Sequence, residues 1–154
     1  MGSVGRTVME RRAGADDMTR SLQAGRAEML ILFCRVAGVD PYGAQKKAPA
    51  VGVLLQQFCQ TLVDYVASAH FLLYERIVNG TERRRAVADA AASLYPQISS
   101  CTDLAIEFND KYDCGDHCSH LDHLSDDLSQ LGQALAQRIE LEDRLLSLMA
   151  APRA

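Results

Sequence analysis

The chain has 154 residues, 48% of them hydrophobic, with no tryptophan and only 4 prolines. That is enough for one domain with its own core, and too continuous for several domains on flexible linkers. The formal net charge of −4 is uneven: residues 1–50 hold 8 basic and 5 acidic groups, a net of +3, whereas residues 100–127 hold 8 acidic groups and 1 Lys, a net of −7. Charge asymmetry of this kind favours a protein partner with a basic patch over a nucleic acid. No apolar run reaches the roughly 18 residues of a membrane span. The N-terminus MGSVGRTVMERR lacks the apolar core of a secretory signal. A cytoplasmic protein without membrane contact is expected. The 5 cysteines, at positions 34, 59, 101, 114 and 118, read as free thiols, with Cys34 and Cys59 as packing or boundary residues.

Residues 1–15 have no apolar period and read as a flexible segment ahead of one domain over 16–150. Asp16 and Asp17 offer an N-cap. Met18, Leu22, Met29, Leu32, Phe33 and Val36 then recur at helical spacing until Gly38 and Asp40-Pro41 stop the helix. Opposite that stripe, Arg20, Ala24, Ala27 and Ile31 form a flat outward strip. The second predicted helix covers about 51–78 and ends at Asn79-Gly80. It carries two apolar rows. Leu62, Val66, Ala69 and Leu73 make a core stripe; Val63, Ala67, Phe71, Tyr74 and Val78 run along another side, edged by Asp64, Ser68 and Glu75. A surface helix needs only one such stripe, so the second is either a docking surface or a contact with another helix of the same bundle. Thr81 is the expected cap of a third helix, kinked or broken near Pro96 and reaching about 111. A fourth runs from about 119 to 149 on a seam of Leu121, Leu124, Leu128, Leu131, Leu135, Ile139, Leu146 and Met149. Nothing alternates with period two. The expected fold is all-α, an antiparallel four-helix bundle.

The turn CGDHCSHLDH places Cys114, His117, Cys118, His120 and His123 within ten residues. Structural zinc sites draw ligand pairs from two separate segments. The reading here is a polar turn in which Asp116 or Ser119 caps the fourth helix, with no metal and no cofactor. No Glu-x-x-His occurs, which excludes the ferritin-like dimetal bundles. No phosphate loop or nucleophile–base motif appears, and no catalytic residue is assigned. His70, at the edge of the core stripe, reads as a structural hydrogen-bonded histidine. The alternative is a histidine phosphotransfer bundle, but the Lys and Gly of that pattern are replaced by Leu73 and Tyr74.

FCQTLVDYVASAHFLLYERIV (58–78), LYPQI (94–98), FND (108–110) and LGQALAQRIELEDRLL (131–146) resemble the Rsd/AlgQ family of bacterial regulators. The likeness covers roughly 16–150, and LVDY…AHF…YER is its specific part. The resemblance implies a four-helix bundle without catalysis that sequesters the primary sigma factor by gripping region 4. That region is a basic helix-turn-helix, and covering it blocks its contacts with core RNA polymerase and promoter DNA. The family's sigma-contacting Asp falls on Asp64, with Phe71, Tyr74 and Glu75 in the same matched segment. Where the family has Asp-Arg-Trp-Leu, this chain has Thr19-Arg20-Ser21-Leu22: Arg20 is kept, and the Asp and Trp are not. Some members also engage the phosphocarrier protein of the sugar phosphotransferase system. The expected partner-binding set is Asp64, Phe71, Glu75, Arg20, Ser68, Tyr74 and Ile31.

Overall fold

A computed structural model describes residues 2–38, 51–71, 85–113 and 121–150. Four long helices hold nearly all of them: α1 (Gly2–Val36), α2 (Val51–Ala69), α3 (Arg85–Tyr112) and α4 (Leu124–Ala150), the last entered through a 3₁₀ turn at Leu121–His123. No strand occurs among the described residues, as the missing period-two pattern implies. No helix of the described residues is long and apolar enough to cross a membrane.

The side-chain pairs fix the topology. Arg26 of α1 meets Glu142 and Asp143 of α4, while Phe33, one end further, packs at Gly132. Gln97 of α3 bonds Gln137 of α4, and Tyr112 bonds Asp127. Phe58 of α2 stacks edge-on to Phe108 of α3 at 5.6 Å. On the other side of α1, Arg26 meets Tyr65 and Phe33 meets Phe58 of α2, so in the α1/α2, α1/α4 and α3/α4 pairs one helix ascends as the other descends. The bundle is therefore antiparallel, α1 beside α2, α2 beside α3, α3 beside α4, with α4 closing on α1. An aromatic ladder, Phe33–Phe58–Phe108–Tyr112, fills one end at centroid spacings of 5.8, 5.6 and 4.6 Å. Leu22, Met29, Leu55, Leu62, Val66, Ala69, Leu128, Leu131, Leu135, Leu141 and Leu145 complete the core. These include Leu62, Val66 and Ala69 of the expected α2 stripe and Leu128, Leu131 and Leu135 of the expected α4 seam; Leu124, Leu146 and Met149 are partly buried, Leu121 is exposed, and Leu141 and Leu145 take the buried places further along.

Gly38 ends α1 as expected. It takes a positive φ of 83°, and its N–H donates to the Arg35 carbonyl at 3.1 Å while Ala37 N–H donates to Phe33 at 2.9 Å. A residue with Cβ enters that conformation at a cost that glycine avoids.

Three boundaries differ from the sequence reading. Helix α1 begins at Gly2, well before the Asp16-Asp17 cap and through the segment expected to be irregular. Met9, Glu10, Arg11, Arg12 and Ala13 are strong helix formers, and extending an existing helix avoids the cost of nucleation. Helix α3 runs through Pro96 without a break. Pro96 and Ala92 are exposed, so water can satisfy the carbonyl that loses its intrahelical N–H. Val87 and Ala91 before the proline, and Ile98, Cys101 and Ala105 after it, are buried along one stripe and hold both halves in place. Helix α2 leaves regular α geometry after Ala69, where residues 70–71 form a wider π-type turn. The Asn79-Gly80 stop, the Thr81 cap and the Asp116 or Ser119 cap lie outside the described residues.

Candidate partner-binding groove

The side of α2 that faces away from the core and toward α1 carries Gln57, Thr61, Asp64 and Ser68, at spacings of four, three and four residues. Helix α1 presents Ser21, Gly25, Glu28, Ile31, Leu32 and Arg35 toward them. Between the two rows lies a surface groove. Its wider part, about 310 Å³, is lined by Glu28, Ile31, Leu32, Arg35, Gln57, Gln60 and Thr61. Its narrower part, about 110 Å³, is lined by Ser21, Leu22, Gly25, Glu28, Thr61, Asp64, Tyr65 and Ser68. The two parts adjoin, with Glu28 and Thr61 in the walls of both. The α1 span from Ser21 to Arg35 makes it roughly 20 Å long at 1.5 Å rise per residue. Small side chains keep it open. A Cβ added at Gly25 would meet nothing within 4 Å, and Ser21 stands where the family resemblance puts a tryptophan.

The structure brings together part of the expected set. Asp64 and Ser68 line the narrow part, and Ile31 lines the wide part. Arg20 is exposed beside Ser21 at the narrow end. Phe71 is 63% exposed at the end of the same helix. Tyr74 and Glu75 lie outside the described residues. Val63 and Ala67, of the second apolar row, are also exposed. The described part of that row is therefore not a contact inside the bundle. Asp64 and Glu28 have no ion-pair or hydrogen-bond partner among the described residues. The groove thus offers two solvated carboxylates beside Ile31 and Leu32.

His70 departs from its expected place at the core edge. It is exposed, its ring edge-on to Phe71 at 5.6 Å. His123 is exposed, with its Nε2 3.3 Å from Asp122. The other four Cys and His residues of that turn lie outside the described residues. Among the described residues no group of three metal-binding side chains comes together. Cys59 and Cys101 are buried free thiols. Burial, with a contribution from Asp113, pushes Cys59 up to about 12, and burial raises Cys101 as well. Both are un-ionised at neutral pH and poor nucleophiles.

Behind the groove floor lies a polar cluster that sequence reasoning missed. Tyr65 follows Asp64 but points into the bundle, where its hydroxyl donates to Glu142 Oε2 and accepts from Arg26 Nε at 3.4 Å. Arg26 also donates to Glu142 Oε2 at 3.1 Å and to Asp143 Oδ1 at 2.8 Å. Arg138 donates to Glu142 Oε1 at 2.8 Å and to Thr102 Oγ1 at 2.7 Å, and its guanidinium lies 5.9 Å over the Tyr65 ring. Glu142 and Arg138 are only 0% and 1% exposed, so each charge depends on its partners. Burial first, then the Glu142 carboxylate, raises the Tyr65 pKa far above its ordinary value and keeps the phenol a donor. The available signal was Glu142 and Arg138, charged residues at i and i+4 within an otherwise apolar stripe of the last helix.

What fold and groove define is an all-helical bundle with one open, acid-bearing groove between its first two helices. The model of the Rsd/AlgQ family, described as Regulator of RNA polymerase sigma(70) subunit, matches residues 1–150, and the chain belongs to that family. Its curated relatives include the Regulator of sigma D of Yersinia pseudotuberculosis, 30% identical over 91% of this chain and 83% of that protein. The Regulator of sigma D of Yersinia enterocolitica is 30% identical over 91% and 84%, and that of an Enterobacter strain is 31% identical over 92% and 86%. No solved structure matches the chain significantly.

Proposed function

We propose that this protein sequesters the primary sigma factor by seating region 4, a basic helix-turn-helix, against the α1/α2 groove. Region 4 so covered would be withheld from core RNA polymerase and promoter DNA. The observation that carries the reading is the convergence of Asp64, Ser68 and Ile31 on one groove beside an exposed Phe71, with Asp64 and Glu28 left without partners among the described residues. The carboxylates would steer and orient a basic helix, and the apolar side chains would supply most of the affinity.

Titration of purified region 4 tests this, with a thermal melt of each variant alongside. Asp64→Ala should weaken binding, and more at low salt, where attraction is least screened. Its melting should match the parent, because exposed substitutions rarely exceed about 0.5 kcal/mol. Phe71→Ala should weaken binding by about 2 kcal/mol with little salt dependence, and its exposure predicts an unchanged melt. Parent-like binding by both variants would sink the reading.

A further inference from the structure

The groove is not uniformly acidic. Its wide end is closed by Arg35, in the last turn of α1. Arg35 Nε is buried and has no hydrogen-bond partner among the described residues. A buried donor left unmade is costly, and a charged one more so. The other groove side chains nearby, Ile31, Leu32, Gln57, Gln60 and Thr61, bring no charge to it. The groove's own acids stand at a distance. Glu28 precedes Arg35 by seven residues on α1, about 10 Å along the helix, and Asp64 lies a similar two turns beyond Gln57 on the antiparallel α2. Negative charge thus stands at the middle of the groove, on Glu28 and Asp64, and positive charge at its wide end, on Arg35.

We infer that Arg35 is a second anchor of the groove, taking a carboxylate from the docked partner helix. That carboxylate stands about two helical turns from the basic residue that faces Asp64. The inference rests on the groove being the partner-binding surface. Its ground is charge complementarity. A helix lying in the groove with a basic residue over Asp64 and Glu28 brings its residue seven positions away over Arg35. Arg35 as a residue is half-buried and only its Nε is closed off, so an Asp or Glu there would meet the open Nη edge of the guanidinium, whose planar fork suits a carboxylate in particular. A helix basic along its whole length would match the Asp64 end and place like charge on Arg35. Arg35 would therefore select among basic helices, admitting those with an acid in the right register.

Purified region 4 of the primary sigma factor is the probe, titrated by fluorescence anisotropy against the parent, Asp64→Ala, Arg35→Gln, Arg35→Lys and Arg35→Glu, each checked by melting. Arg35→Gln should bind about tenfold more weakly, the scale of one lost charged hydrogen bond. Arg35→Lys keeps the charge but not the fork, and should fall short of the parent. Arg35→Glu should bind most weakly. One acidic residue of region 4, changed to Arg, should restore binding to Arg35→Glu and leave the Asp64→Ala defect uncorrected. If Arg35→Glu does not fold, Arg35→Gln and Arg35→Lys decide alone. Weakening by Asp64→Ala with parent-like binding by the Arg35 variants overturns the Arg35 anchor and leaves the groove standing. Weakening by Arg35→Glu that no acidic-to-Arg change on region 4 repairs overturns the carboxylate. A parent that does not bind region 4 removes the groove reading and the anchor together.

Discussion

Glu142→Ala would remove the hub of the buried polar cluster. The Glu142 carboxylate is fully buried and accepts three hydrogen bonds, from Tyr65, Arg26 and Arg138. Two of the donors are cationic, and bonds of that kind contribute about 1.5–3 kcal/mol each. They share one acceptor group and do not add. Arg26 keeps Asp143 at 2.8 Å. Arg138, 1% exposed, keeps the neutral acceptors Thr102 Oγ1 and the Ile98 carbonyl. Breaking a buried pair by deleting one partner costs about 3–5 kcal/mol. The expected loss is therefore about 4 kcal/mol, a large share of the roughly 5–15 kcal/mol that holds a domain folded. In a chain of this size it should lower Tm by about 10 °C or more. Urea unfolding followed by circular dichroism gives the free energy directly. The variant Arg138→Met/Glu142→Leu removes both charges, and should recover much of the loss. A Glu142→Ala cost below about 1 kcal/mol would refute the claim that these charges are held mainly by one another.

Gly132→Ala would gain helix propensity of roughly 1 kcal/mol, but the new methyl would sit 2.9 Å from Phe33 Cζ. Because Phe33 is wedged against Phe58 at 5.8 Å, a net loss of about 1–2 kcal/mol is expected in urea unfolding. An unchanged or raised stability would show that the ring moves freely. Tyr65 and Tyr112 both have pKa values raised above the ordinary phenol value, by burial first and then by Glu142 and Asp127 respectively. A raised folded-state pKa means stability that is intact below about pH 10 and lost as pH rises beyond it. Alkaline melts should show this fall, and Tyr65→Phe should reduce it; a flat profile to pH 12 would contradict the assignment.

Much of the bundle was legible because its signals are local. The stripe Leu62, Val66, Ala69 repeats within three turns, and Gly38 stops α1 by its own φ. The exposure of Phe71 was not decidable from the chain alone. A second apolar row reads the same whether solvent or a neighbouring helix covers it, and only packing separates the two. The Arg26–Glu142 pair joins residues 116 apart, so no window along the sequence contains it. The groove was missed for the same reason. Ser21 and Gly25 look like weak helix residues until Asp64 and Ser68 are seen across from them. Pro96 leaves the helix unbroken. Its local cost is real, but a buried stripe on both sides outweighs it when the lost bond faces water.

The cluster also explains how Asp64 can be held in one place while remaining solvated. An exposed aspartate on a helix with a loosely packed core face would sample many positions, and a groove built on it would lose affinity to ordering. Here the next residue, Tyr65, is clamped by Glu142, Arg26 and the Arg138 guanidinium. Leu62 and Val66 on either side are buried. Rotation of α2 about its axis is therefore opposed at three consecutive core positions, 62, 65 and 66. That fixes the direction of Asp64 and Ser68, which branch from the adjoining face of the helix and line the narrow part of the groove with Tyr65. Arg26 extends the constraint to α1, since it sits between Leu22 and Met29 and reaches both Tyr65 and α4. The two groove walls are thus tied to one buried group, since Arg26 of α1 and Tyr65 of α2 both bond Glu142 of α4, with a directionality that apolar contact lacks. Buried charges contribute little net stability compared with a well-packed apolar core. What they supply here is a rigid spacing between the row of Glu28 and Arg35 and the row of Asp64 and Ser68.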